Sequence, residues 1–151
     1  MAVYAEHARG SARSIRAMVK DDPALRRVRA YCLALPEASE AGSWGHPNFR
    51  AGKKTFAAFE WITGRPSVAF RLNGVDVDLL LRRRDFFATP YGRRQWVSVW
   101  ADRRVSWRLV ERLLLRSYRL VDLKRMIASR EKAMPGKRRA AGGVKARGVK
   151  K

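Results

Sequence analysis

The sequence contains very few of the residues that build catalytic and metal centres. Its 151 residues include one cysteine, Cys32, and two histidines, His7 and His46. One cysteine excludes an internal disulfide and any site made of several cysteines, and the two distant histidines offer no zinc-ligand spacing. The segment Gly52-Lys53-Lys54-Thr55 lacks the rest of a phosphate-binding P-loop. These absences argue against an enzyme, and we expect neither a metal nor a cofactor.

Long apolar runs are also missing. No stretch reaches the about 18 consecutive apolar residues that suggest a transmembrane helix. Residues 1–20 alternate small, apolar and basic residues and contain no continuous apolar segment of the kind that a secretory signal needs. The sequence therefore predicts a cytoplasmic protein without a membrane partner. The lone Cys32 is expected to be a small buried hydrophobic residue.

Acidic residues are scarce, and the imbalance is large. Lys and Arg number 34 against 13 Asp and Glu, which gives a net charge of +21. Such a charge is informative about binding partners rather than about the fold. The candidate partners are nucleic acid, an anionic membrane surface and an acidic protein. Residues 1–21 carry +2, residues 135–151 carry +7 with no acidic residue, and the remaining +12 lies between them. Basicity is therefore a property of the body of the protein as well as of its end.

Composition divides the chain into three parts. We predict an N-terminal extension at 1–21, a folded domain at 22–133 and a basic disordered tail at 134–151. The tail begins with Pro135-Gly136 and then mixes Gly, Ala, Lys and Arg. It has almost no large apolar side chain to bury, so it cannot offset the entropy lost on ordering.

Helical spacing of apolar residues predicts three helices. The first opens at Asp21-Asp22-Pro23, where an acidic cap precedes a proline, and ends at Pro36. The second is a short helix at 76–84 with three residues directed inward, namely Val77, Leu80 and Leu81. The third and longest follows Ser106, and its apolar stripe comprises Trp107, Val110, Leu113 or Leu114, Tyr118, Val121 and also Met126.

Between these helices, apolar and polar residues alternate with the two-residue period of β-strands. Residues 48–61 predict a hairpin about a turn at 51–54, residues 67–72 a third strand, and residues 95–100 a further strand after Thr89-Pro90-Tyr91-Gly92. Strands joined by such short turns must be antiparallel. The predicted fold class is α+β, an antiparallel sheet with helices on one face. Trp61, Trp96 and Trp107 are expected in its core.

Several segments form an ordered set that spans roughly residues 24–126. They are YCLALPEASE at 31–40, Trp44-Gly45-His46-Pro47, Phe49-Arg50, Gly52-Lys53-Lys54-Thr55-Phe56-Ala57, Phe86-Phe87, Thr89-Pro90-Tyr91-Gly92, Gln95-Trp96-Val97 and LLLRSYRLVDLKR at 113–125. Taken together, these segments resemble the MmcQ/YjbR family of small bacterial proteins. The resemblance implies a two-layer α+β fold with two β-hairpin wings, similar to the CyaY and secretion-chaperone type, and DNA-binding-like function. This chain is far more basic than the usual member, which favours nucleic acid.

Basic residues on the predicted turns, helix ends and tail form the candidate nucleic-acid-binding set. Most of these side chains would contact phosphates, which position a protein on DNA without specifying a sequence. The set comprises Arg50, Lys53, Lys54, Arg82, Arg83, Arg93, Arg94, Gln95, Arg103, Arg104, Lys137, Arg138 and Arg139.

Two kinds of function remain open at this point. The leading prediction is a monomeric or weakly associating DNA-binding protein, with RNA or ribosome association as a variant that the basic tail permits. The alternative is a non-enzymatic protein-interaction adaptor with a secretion-chaperone-like fold, for which an exposed apolar patch would be the sign.

Overall fold

Three helices and six strands make up the part of the chain that the structure describes. The structure is a computed structural model and describes residues 22–43, 45–90, 92–102 and 104–133. The helices are α1 (Pro23–Leu33), α2 (Gly74–Leu81) and α3 (Trp107–Ala133). The strands are β1 (Ala38–Ser43), β2 (His46–Ala51), β3 (Lys54–Ile62), β4 (Arg65–Arg71), β5 (Phe86–Ala88) and β6 (Trp96–Trp100), with a short 3-10 helix at Arg93–Gln95. The predicted extension and tail lie outside the described residues.

All six strands belong to one antiparallel sheet, in the order β1-β2-β3-β4-β6-β5. The first four strands follow one another as a meander, and β6 then pairs with β4. We call the end of the sheet with the Gly52–Lys53 turn the upper end, and the end with the Thr63–Gly64 turn the lower end. Gly52 has a φ of +62°, a backbone conformation that glycine adopts without strain.

The helices cover one face of this sheet. Side chains that alternate along neighbouring strands form the core on that face, including Phe49, Phe59, Phe70 and Val97. The Tyr118 ring of α3 meets Phe56 edge-on with their centroids 5.5 Å apart. On the same side, Arg29 of α1 pairs with Glu40 of β1, and Arg116 of α3 pairs with Asp76 of α2. The predicted two-layer α+β class is confirmed.

The first helix begins as its sequence indicates. The Asp22 carboxylate accepts hydrogen bonds from the backbone N–H of Ala24 at 2.7 Å and of Leu25 at 3.2 Å. The helix ends at Leu33, earlier than predicted, because a residue that precedes a proline, here Leu35, disfavours helical geometry. Cys32 is fully buried, and burial raises the pKa of its thiol to about 12. The prediction of a buried cysteine is confirmed.

Several local predictions need correction. The predicted strands include neither β1, whose sequence ASEAGS contains no β-branched or aromatic residue, nor β5. Helix α2 spans Gly74–Leu81 rather than 76–84, since the Asn73 side chain caps it by accepting from the Asp76 N–H at 2.8 Å. Leu81, predicted inward, and Met126, predicted in the buried stripe, are both exposed. Trp96, predicted in the core, is partly exposed and is not part of the core cluster, whereas Trp61 and Trp107 pack against it.

Glu60 on β3 supplies a pH-dependent prediction. Its Oε2 is buried without a hydrogen-bond partner among the described residues, and burial raises the pKa of the carboxyl. A raised pKa means that the folded state favours the protonated form, so stability falls as the pH rises from the ordinary glutamate pKa through the raised one. We therefore expect Glu60→Gln to be more stable than the parent protein at pH 7 and to lose that advantage at low pH.

Urea unfolding midpoints measured at neutral and at acidic pH test this prediction. The control is Asp78→Asn, at an exposed position on α2, whose difference from the parent should change less between the two conditions. A Glu60→Gln protein that is less stable than the parent at pH 7 would contradict the assignment.

Candidate nucleic-acid interface

Helix α3 presents a line of arginines on the side opposite its buried stripe. The buried stripe comprises Val110, Leu113, Leu114, Ser117, Tyr118 and Val121. Residues three or four positions apart share one side of a helix. The arginine ridge, as we call it, has that spacing and consists of four exposed side chains, Arg108, Arg112, Arg116 and Arg119. It runs for about 16 Å along the helix, at 1.5 Å per residue.

Only one member of the arginine ridge is neutralised by a described carboxylate. Arg116 forms a two-pronged pair with Asp76 of α2, with Nε–Oδ2 at 2.7 Å and Nη2–Oδ1 at 3.0 Å. Its side chain remains 62% exposed. The other three members form no ion pair with any residue in the described ranges. The ridge thus combines one anchored guanidinium with three that are available to an anion.

Three of the predicted residues lie near the lower end of this ridge. Helix α2 starts at the upper end after β4 and leads into β5, where Phe86 pairs with Val99 near the lower end. It therefore runs antiparallel to α3, which brings its C-terminal Arg82 and Arg83 to the end where Arg104 precedes α3. Arg83 is held by Asp85 through two hydrogen bonds of 3.1 Å, whereas Arg82 and Arg104 are exposed.

The other described members of the predicted set lie at the upper end. Lys53 and Lys54 are exposed on the β2–β3 turn, and Arg93, Arg94 and Gln95 are exposed on the 3-10 helix that precedes β6. Arg50 is only half-exposed, and its Nε is enclosed by protein. The length of the sheet separates this group from Arg82, Arg83 and Arg104. The structure thus divides the predicted set between two surfaces.

Helix α3 extends beyond the sheet at the upper end. Arg125 packs over the Gly52 turn and pairs with Glu37 and Asp122. Every residue from Met126 to Ala133 is exposed, so the last two turns stand clear of the sheet. Three exposed large apolar side chains, Leu123, Met126 and Ile127, continue the line of the arginine ridge here.

Comparison with known proteins decides the family. A family model named YjbR matches residues 33–120, more than half of the chain. The chain belongs to the YjbR family. A solved Deinococcus radiodurans protein with a DUF419 domain superposes on it with a TM-score of 0.60 at 20% identity, covering 79% of this chain and 93% of its own. A solved Pseudomonas syringae protein gives a TM-score of 0.56 at 13% identity, covering 64% and 97%.

These structural likenesses show the fold of the YjbR protein and nothing about its ligand. No protein with a curated description matches the chain. The resemblance seen in the sequence is confirmed for the family and the fold, and DNA binding stays a prediction.

Ser106, just before α3, and Ser117, within it, both have structural roles. Ser106 Oγ accepts a hydrogen bond from the Leu109 N–H at 3.3 Å, which caps the helix, and Ser117 Oγ donates to the Leu113 carbonyl at 2.8 Å. Within the described ranges, no three His, Cys, Asp or Glu side chains converge as metal ligands do. None of the helices described has the length and hydropathy needed to cross a bilayer.

The arginine ridge is the part of the candidate site that the sequence reasoning missed. The prediction placed phosphate contacts on turns, because the family resemblance emphasises hairpins. The signal is visible in the sequence, because Arg108, Arg112, Arg116 and Arg119 lie off the apolar stripe of the same helix, but the prediction gave these arginines no binding role. Arg103 and the tail residues Lys137, Arg138 and Arg139 lie outside the described residues, so their part in the site stays a prediction.

Proposed function

We propose that this YjbR-family protein binds nucleic acid, duplex DNA above all, by placing the arginine ridge of α3 against phosphates. The observation that carries the proposal is a straight row of four exposed arginines, three of them without a carboxylate partner in the described structure. Guanidinium groups suit phosphates because their planar donor fork can bind two oxygens at once. The exposed Arg82 and Arg104 extend the same basic surface towards the lower end.

Binding of this kind is strong at low salt and has little sequence preference. Phosphate contacts release condensed counterions, so the affinity falls steeply as salt rises. No described element carries a pattern that marks it as a groove reader, and phosphate contacts alone supply position without sequence information. We further propose that the protein acts as a cytoplasmic monomer and not as an enzyme.

A triple variant, Arg108→Gln/Arg112→Gln/Arg119→Gln, tests the proposal. Arg116 is left in place because it ties α3 to α2. Fluorescence anisotropy with a short labelled duplex should show an affinity loss of about 100-fold at about 50 mM salt. The slope of log K against log[salt] should become shallower by about 2.7, because each lost phosphate contact removes about 0.9.

The matched control removes the same charge from exposed positions off the ridge, Lys53→Gln/Lys54→Gln/Lys124→Gln. It should weaken binding far less. Equal losses in the two variants would show that net charge alone attracts the duplex, and a parent protein that does not bind duplex at low salt would refute the proposal. Competition by structured RNA against the duplex distinguishes RNA from DNA as the preferred target.

A protein-interaction adaptor is the second candidate, and one observation favours it. Large apolar side chains are exposed in two groups, Val75, Leu79 and Leu81 on α2 and Leu123, Met126 and Ile127 on α3, beside the single Leu33 of α1. Basic residues flank the second group, so an acidic partner with an apolar face would fit it. Co-purification of such a partner that survives nuclease treatment and is lost in Leu123→Ser/Ile127→Ser would support the adaptor.

A further inference from the structure

Trp96 differs from the other tryptophans that the structure describes. Trp61 meets Phe59 edge-on, Trp100 is stacked between Phe87 and Arg65, and Trp107 lies beneath the Arg27 guanidinium. Trp96 has neither an aromatic nor a cationic partner among the described residues, although it is partly exposed. Part of its indole is therefore exposed to solvent without such a partner.

An open groove of about 700 Å³ lies at the upper end of the sheet, and its lining comprises Gly92, Arg93, Arg94, Gln95 and Trp96. The glycine makes room for the tryptophan, since a Cβ at position 92 would lie 2.1 Å from the Trp96 Cβ and 2.8 Å from its Cγ. Trp96 can occupy this place only because residue 92 has no side chain.

The polar groups of the groove come from a single tight turn and the neighbouring strand. Arg93 has a φ of +36°, a left-handed conformation that is unfavourable for a residue with a side chain. The 3-10 turn that it opens leaves Arg93, Arg94 and Gln95 exposed beside the indole. From β4, Arg71 pairs in register with Trp96, and its Nη2 donates to Gln95 Oε1 at 3.5 Å. Cationic, amide and aromatic groups thus meet in one small space.

We infer that this groove binds an unpaired nucleobase together with its phosphate. Indole stacks on bases without regard to sequence, arginines bind phosphate, and the Gln95 side-chain amide can hydrogen-bond a base edge. A paired base inside a duplex has both faces covered by its neighbours, so the ligand is single-stranded nucleic acid, a strand end or a free nucleotide. The inference rests on the proposed function for the general affinity for nucleic acid and adds a second site with its own ligand.

The test compares a short labelled oligo(dT) with an abasic oligomer of the same length and charge. Since stacking of one base is worth a factor of about 5 to 150, we expect Trp96→Leu to weaken oligo(dT) binding about tenfold. Binding of the abasic oligomer and of duplex should stay unchanged, and Trp96→Phe, which keeps an aromatic ring, should restore oligo(dT) binding to within about threefold. Thymidine monophosphate as a competitor shows whether the groove also takes free nucleotides.

Equal effects of Trp96→Leu on oligo(dT) and on the abasic oligomer would overturn the inference, and so would no effect on either. Should Trp96→Leu not fold, the exposed Gln95→Ala provides the same comparison and should selectively weaken oligo(dT) binding. The arginine-ridge variant separates the two proposals, because it should weaken duplex and abasic oligomer alike. A parent protein that does not bind duplex but shows a Trp96-dependent preference for oligo(dT) would leave the groove without the ridge. Duplex binding that the ridge variant weakens, with no Trp96-dependent preference for oligo(dT), would leave the ridge without the groove.

Discussion

Gly92→Ala is expected to destabilise the protein by about 2–3 kcal/mol, the usual cost of forcing extra volume into a packed site. The added Cβ would lie 2.1 Å from the Trp96 Cβ and 2.9 Å from the Thr89 Cβ. Both neighbours are the first atoms of their side chains, so a rotamer change cannot move them away and the backbone must shift. Thr89 is itself tied to the buried Ser98 by a hydroxyl hydrogen bond of 2.7 Å, which limits that shift.

The measurement is the free energy of unfolding from urea titration followed by circular dichroism. Gly74→Ala is the matched control, because a Cβ at position 74 meets nothing within 4 Å and the residue lies in the first turn of α2. There the substitution should be neutral or stabilise by up to about 1 kcal/mol. A Gly92→Ala protein as stable as the control would show that the backbone around residue 92 shifts to accept the Cβ without a loss of stability.

Phe70→Ala is expected to cost about 3–5 kcal/mol, as deletions of a buried phenylalanine generally do. Phe70 is fully buried in the middle of the sheet, where it pairs with Ala57 of β3 and Val97 of β6. The small Ala57 cannot fill the space that the missing ring leaves. Since domains of this size are stable by only about 5–15 kcal/mol, a large part of the folded population would be lost on modest heating.

Phe70→Leu serves as the control, because leucine keeps most of the buried apolar volume and should therefore cost much less than alanine. Thermal unfolding of both variants beside the parent provides the comparison. Equal midpoints for the alanine and leucine variants would mean that the core rearranges to close the cavity.

Local signals were sufficient to predict most of the fold. Capping by Asp22 depends on neighbouring residues and is as predicted. The strand predicted at 67–72 is present at Arg65–Arg71, although its residues from Pro66 to Phe70 are all buried and do not alternate. Strand β1 lacks such a signal, because ASEAGS becomes a strand only through its pairing with β2, from Ala38–Ala51 to Ser43–His46. Tertiary pairing decided that element, and the sequence around it could not show the pairing.

The candidate site was predicted less well, for a related reason. Which basic residues share a surface depends on how elements far apart in the chain are oriented. The direction of α2 along α3 brings Arg82 towards Arg108, while the sheet keeps Lys53 far from both. The unpartnered ring of Trp96 is likewise a matter of tertiary neighbours, and its sequence context resembles that of Trp100, whose faces are both occupied.

The single buried thiol makes local opening of the protein measurable. Cys32 lies between helix α1 and the rest of the core with no exposed surface, and burial keeps the pKa of its thiol at about 12. Thiolate is the form that reacts with alkylating and disulfide reagents. Labelling therefore requires an opening of the helix layer that exposes the Cys32 sulfur to solvent. Because the chain has no second cysteine, the rate of labelling reports how often this opening occurs at one defined atom. No engineered probe is needed.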